Sequence, residues 1–176
     1  MALNIPEALL KLKSNSGVYA VWMVMQHYGI QADISRLAEL CGYDGEGAYT
    51  VGLALALQKL GCKTAFHTDP DPDCQPQEVE YYAEAKQLQI PIQSALTYEQ
   101  IKLKLEQGYF IIVYYDTPEG EGHHSLVYSI NSQEICFFDN FTTLSARTFE
   151  KRRRAEGICR QAIVIDGSKL ADIRFS

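Results

Sequence analysis

The sequence predicts a single α+β domain, with helices in the first half and an antiparallel sheet in the second. Three observations carry that expectation. Apolar residues recur at helical spacing as far as Gly108, and extended, β-branched and aromatic runs take over after it. The most apolar stretch of the first half, Val18 to Met25, fills nearly every position of a helix, as one buried inside a domain would. Across 176 residues there is no repeat and no low-complexity segment, so residues 1–176 read as one domain able to bury a sizeable core.

Taken in order, residues 1–13 carry Leu3, Ile5, Leu9, Leu10 and Leu12 and form a short packing segment. The central helix follows, roughly from Gly17 to Tyr28, with Asn15 or Ser16 as its N-cap and Gly29 as its stop. Ser16 therefore begins a buried helix, where unpaired backbone N–H groups and the helix dipole favour negative charge. A nucleophile or a bound anion suits that place; so does a capping serine with no further role. Asp33 caps a second helix with Ile34, Leu37, Ala38 and Leu40 on its apolar face, and Thr50 caps a third through Leu60. Between them the loop Gly42 to Gly47 lacks the lysine and spacing of a phosphate-binding loop. Cys62 to His67 reads as a strand, and Asp69 to Pro76 as an exposed loop by its three prolines. A fourth helix is expected over Glu78 to Gln87, and a capping box at Thr97 and Gln100 opens a fifth that ends at Gly108.

Tyr109 to Tyr115 is a continuous β-branched and aromatic run, hence a strand buried on both faces. His124 to Ile130 and Glu134 to Asp139 form a hairpin around Asn131-Ser132, and Gln161 to Ile165 is a last strand.

Net charge of −6 and a pI near 5.2 give no electrostatic support to a nucleic-acid partner, and hint weakly at a basic one. The one basic cluster, Lys151 to Arg154, reads as a solvated face. The first residues lack a basic region followed by an apolar core, and no apolar run is long enough to span a membrane. Five cysteines without a Cys-x-x-Cys pair argue against a disulfide framework and a zinc site, so free thiols in a cytoplasmic compartment are expected, non-classical export being left open. Neither a metal nor another cofactor is expected, and oligomeric state is not legible.

Chemistry centres on His123, His124 and Asp139. A turn centred on Asn131 sets His123 opposite Asp139; a two-residue turn at Asn131-Ser132 sets His124 there instead. Either register makes an Asp–His pair available, and a carboxylate that orients an imidazole is what a general base needs. A surface ion pair is the bland alternative. A nucleophile position at a helix start, followed downstream by His and then Asp, is the order used by papain-like cysteine hydrolases.

From Asn15 to Gly61 the wording resembles the bacteriocin-processing, double-glycine-leader cysteine peptidases. That family opens with Asp-Cys-Gly and a helix ending in Tyr-Gly; here stand Asn15-Ser16-Gly17, Ala20, Met23-Val24 or Met25, and Tyr28-Gly29. Leu37 to Leu40, Glu46-Gly47 and Leu60-Gly61 match the following helix, turn and helix end. The family's later His and Asp correspond to His123 and Asp139, with Asn140 where a proline is common and His124 where an aromatic often follows the His. The resemblance covers roughly residues 10–140. It implies a papain-like fold, with N-terminal helices around a central helix packed on the sheet, and amide hydrolysis of a peptide or protein through an acyl-enzyme. It assigns the nucleophile position to Ser16, the base to His123 and the orienter to Asp139.

Two departures stand out. Position 16 holds Ser where the family has Cys, and a hydroxyl does not ionise against His and a helix dipole as a thiol does. The family's oxyanion-hole Gln, about six residues upstream, falls among Leu9-Leu10-Lys11-Leu12. A Cys→Ser substitution in an active peptidase, a natural peptidase-like domain that binds peptides without cutting them, and a serine hydrolase all remain open. Cys41, Cys62, Cys74 and Cys136 read as inert rather than as substitute nucleophiles.

Overall fold

The computed structural model describes residues 4–139, 142–168 and 170. Its helices and strands are α1 (Glu7–Leu10), α2 (Ser16–His27), α3 (Ile34–Leu40), α4 (Thr50–Lys59), β1 (Lys63–Thr68), α5 (Pro76–Gln87), β2 (Ile92–Ser94), α6 (Tyr98–Glu106), β3 (Phe110–Asp116), β4 (Gly122–Ile130), β5 (Glu134–Phe137), β6 (Thr143–Ser145), α7 (Ala146–Arg153) and β7 (Ala162–Asp166). The strands form one seven-stranded sheet in the order β2-β1-β7-β3-β4-β5-β6. The class is α+β.

Alternation along the middle strands divides the core into two layers. Ile112 of β3, Leu126 of β4, and Ile163 and Ile165 of β7 point to the layer shared with α2 and α4. Ile111, Val113 and Tyr115 of β3, with Val127, Phe137, Ala162 and Val164, point to the layer covered by α6 and α7. This is why the run from Phe110 reads as apolar at every position: β3 has a buried face on each side of the sheet. Helix α2 is similarly enclosed, with every residue from Val18 to Met25 except Tyr19 buried. Seven residues of that kind place the α2 axis against the sheet and leave its two ends near solvent.

The sheet departs from a purely antiparallel pattern at β1–β2, which run parallel with α5 as the crossover between them. The basic run also differs from expectation. Arg153 is 0% exposed: its guanidinium donates to Glu150 Oε1 at 2.8 Å and to the carbonyls of Leu96 at 2.9 Å and Arg160 at 3.3 Å. Three acceptors offset the cost of burying the cation, so only part of this cluster is a solvated face.

Candidate active site

Local chemistry pins the start of α2. Asn15 occupies the N-cap position but makes no side-chain cap; its Nδ2 donates instead to Leu9 O at 2.9 Å and ties the helix to α1. Ser14 takes a left-handed backbone (φ 52), and the Tyr43 hydroxyl donates to Lys13 O at 2.6 Å. The first helical backbone bond is from Tyr19 N to Asn15 O, so the N–H groups of residues 16–18 lie at the positive end of the helix. Ser16 Oγ sits there and accepts a hydrogen bond from the backbone N–H of His124 at 3.2 Å.

The two histidines of β4 face opposite sides of the sheet, as neighbours in a strand must. The His124 imidazole points toward α2 and α4. Its Nε2 lies 2.9 Å from Thr50 Oγ1, its ring stacks on Tyr114 with centroids 4.4 Å apart, and the residue is 5% exposed. Burial, helped by His123, pushes this imidazole down to about 3, so it is neutral at ordinary pH. Thr50 is thus the first residue of α4, with Tyr49 at the cap position; its hydroxyl serves His124 rather than a helix cap.

His123 takes the other side. Its Nε2 lies 2.8 Å from Asp139 Oδ2, with the side chains 35% and 18% exposed. The same carboxylate oxygen accepts from Ser125 Oγ at 3.0 Å, and Ser125 Oγ is 2.8 Å from the Tyr115 hydroxyl. Asp139 Oδ1 is buried and has no partner among the described residues. Burial first, and the Asp139 charge second, raise the Tyr19 hydroxyl, which places the carboxylate close to α2 as well.

Neither register expected from the sequence is the one observed. The hairpin pairs Ile130 with Ile135 and Ser129 with Cys136, and a bulge then brings Val127 opposite Phe137. Residue 139 lies past the end of β5, level with Ser125 when the Val127–Phe137 register is continued, and His123 reaches it diagonally. The pair survives because His123 and Ser125 share a face, so a two-residue offset stays within reach of a long side chain. Asn140 lies outside the described residues.

Ser16, Gly17, His123 and His124 line one cleft of about 610 Å³, with Tyr49 and Tyr114 among its walls. Asp139 holds the Nε2 side of His123, leaving Nδ1 for a second partner. The structure thus brings Ser16, His123 and His124 to one cleft, with Asp139 held by His123 and the His124 ring directed at α2 and Thr50. None of the cysteines lines this cleft. Burial pushes the Cys41 and Cys62 thiols up to about 12, and burial with Glu78 and Asp71 raises Cys74, so these do not act as thiolates. Among the described residues no group of three or more His, Cys, Asp or Glu is placed to hold a metal ion.

Sequence reasoning passed over Ser125, Tyr115 and Thr50. Period-two spacing from His123 was the available signal for Ser125; nothing local marks Thr50, which is 74 residues from its partner.

Comparison with known proteins bears on the same region. The Peptidase C39 family model matches residues 10–153. Two solved structures share the fold: the peptidase domain of Streptococcus ComA, a bi-functional ABC transporter involved in a quorum sensing pathway, and a double glycine motif protease from an AMS/PCAT transporter in complex with its leader peptide. The first has a TM-score of 0.53 and 20% identity over 87% of this chain and 91% of that one. The second has a TM-score of 0.53 and 9% identity over 94% of this chain and 89% of that one. No curated protein matches the sequence.

Proposed function

The chain belongs to the peptidase C39 family, and from that premise we propose that its cleft is a peptide-acyl site arranged for thiol chemistry at position 16. One observation carries this reading: an Asp-held imidazole, His123 Nε2 at 2.8 Å from Asp139, lines the cleft onto which the first side chain of α2 opens.

The chemistry follows from those groups. With a thiol at position 16, His123 Nδ1 takes its proton and the thiolate attacks the carbonyl carbon of the bound peptide. The amide C–N bond then breaks, the amine leaves with the proton from His123, and the acyl group stays on sulfur. Water, deprotonated by His123, discharges it; another acceptor gives acyl transfer instead. The dipole of α2 and its free N–H groups favour both the thiolate and the developing oxyanion. Asp139 keeps the ring turned and stabilises the imidazolium.

A hydroxyl lacks the accessible ionised state, so with Ser16 the cleft binds an acyl segment far better than it turns one over. Position 10, about where the family has its oxyanion Gln, is Leu10, 60% exposed on α1. Ser16 and Leu10 together favour a second reading, a domain that docks a peptide without cutting it. A leader peptide in the AMS/PCAT protease supports a peptide as the class of occupant. Five free thiols fit action in a reducing cytoplasm.

The discriminating experiment is Ser16→Cys treated with iodoacetamide near neutral pH, with and without His123→Ala. A site built for thiol chemistry labels Cys at position 16 at least about tenfold faster than an exposed thiol, and His123→Ala abolishes the advantage. Labelling no faster than an exposed thiol removes the catalytic reading and leaves the docking one, which predicts peptide retention unaffected by His123→Ala.

A further inference from the structure

We propose that Ser125 and Tyr115 are positioning residues of this site, forming with Asp139 a hydrogen-bonded chain that fixes the tautomer and direction of His123. The proposal rests on His123 as the base.

Proton counting sets the direction of the chain. The Ser125 hydroxyl has one proton, and it goes to Asp139 Oδ2 at 3.0 Å. Its 2.8 Å contact with Tyr115 must therefore be one in which the Tyr115 O–H donates. Asp139 Oδ2 then accepts twice, from Ser125 and from His123, while Oδ1 is buried with no partner among the described residues. A carboxylate with one engaged and one idle oxygen is free to swing about its own side-chain torsion unless something else holds it. His123 is 35% exposed and cannot supply that restraint alone. Ser125 can: it is 1% exposed, lies in the middle of β4, and is braced by Tyr115, whose ring stacks on Phe137 at 5.1 Å.

The consequence reaches the reacting atoms through one bond. A fixed Oδ2 keeps the proton of neutral His123 on Nε2, so the Nδ1 lone pair is the one presented to the cleft. A wandering carboxylate allows the other tautomer, whose Nδ1 carries the proton and cannot accept one. Tyr19 on α2 and Tyr115 also face Asp139, and burial raises both, so each is a neutral phenol at ordinary pH. The signal in the sequence is the period of two that sets Ser125 on the His123 face, opposite the face that holds His124 and Leu126.

Nitrogen-15 NMR of the histidine side chains reads the tautomer directly and needs no turnover. In the protein with Ser16 unchanged, His123 is expected as the Nε2–H tautomer. Ser125→Val and Ser125→Thr differ only in methyl for hydroxyl, so the pair separates hydrogen bonding from packing. Ser125→Val shifts His123 toward a tautomer mixture and Ser125→Thr restores Nε2–H. In the Ser16→Cys background, Ser125→Val slows iodoacetamide labelling at position 16 by about tenfold, and Ser125→Thr recovers most of it. Should both Ser125 variants misfold, Tyr115→Phe keeps the ring on Phe137, removes only the donor to Ser125, and is expected to broaden the tautomer mixture. An unchanged His123 tautomer in folded Ser125→Val, or in Tyr115→Phe, overturns the proposal. A changed tautomer without fast labelling of Ser16→Cys would instead leave the chain intact and remove the catalytic reading above.

Discussion

Replacing His124 by Gln should make the protein less stable at neutral pH and more stable in mild acid. In the folded chain the imidazole is neutral down to about pH 3, whereas in the unfolded chain it takes up a proton near its ordinary value of 6.5. Because the folded value is depressed, the unfolded state binds more protons below pH 6.5, and stability falls as pH drops from there toward 3. Integrated from pH 7 to pH 4, this one group costs about 3 kcal/mol. His27 and His67, both lowered by burial, act with the same sign but are common to both proteins. Gln sets an amide near the position of Nε2 for Thr50 and gives up the stack on Tyr114, a loss of roughly 1–2 kcal/mol at pH 7. The two curves therefore cross, and at pH 4 the variant leads by about 1–2 kcal/mol. Urea unfolding followed by Trp22, the single tryptophan and 2% exposed, measures both. The same difference in stability at pH 7 and pH 4 would refute a buried neutral His124.

Two further outcomes depend on packing. Arg153→Leu strands the carbonyls of Leu96 and Arg160 and leaves Glu150 only its longer pair with Arg154, and is expected to cost about 3 kcal/mol, against less than about 0.5 kcal/mol for exposed Lys151→Ala; thermal or urea unfolding separates them. Gly122→Ala places a Cβ 1.9 Å from the Tyr114 hydroxyl, forcing that ring off His124, and should cost about 1–3 kcal/mol while disturbing the near-ultraviolet signal of the tyrosines.

Much of this was legible in residue order, and the exceptions have physical reasons. A helix apolar on every side has one stable place, inside, so α2 and the position of Ser16 at its start follow from local pattern. The His123–Asp139 pair was reached by parity rather than by register. Side chains on one face of a strand stay together through a two-residue slip, but the width of a turn and a bulge at Val127/Ser129 leave no mark that alternation reveals. Strands β2 and β6 have three residues each, too few to show a period. Helix α7 buries only Phe149 and Arg153, so it has no apolar stripe to announce it, and a buried arginine reads in sequence as one more surface charge. Thr50 is a natural capping residue by type, and only its remote contact with His124 takes it out of that role. The family resemblance supplied what spacing could not, a choice between two adjacent histidines; both line the cleft, and His123 is the one that meets Asp139.

Acyl transfer itself is the most direct measurement. Ser16→Cys protein exposed to p-nitrophenyl acetate should release nitrophenolate and carry the acetyl group on residue 16, located by mass mapping with the five native cysteines as internal standards. Acetylation of Cys at position 16 should run about a hundredfold ahead of half-buried Cys74, be lost in His123→Ala and be weakened in Asp139→Asn. Acetyl spread evenly over the accessible thiols, or a rate at position 16 indifferent to His123, would contradict this.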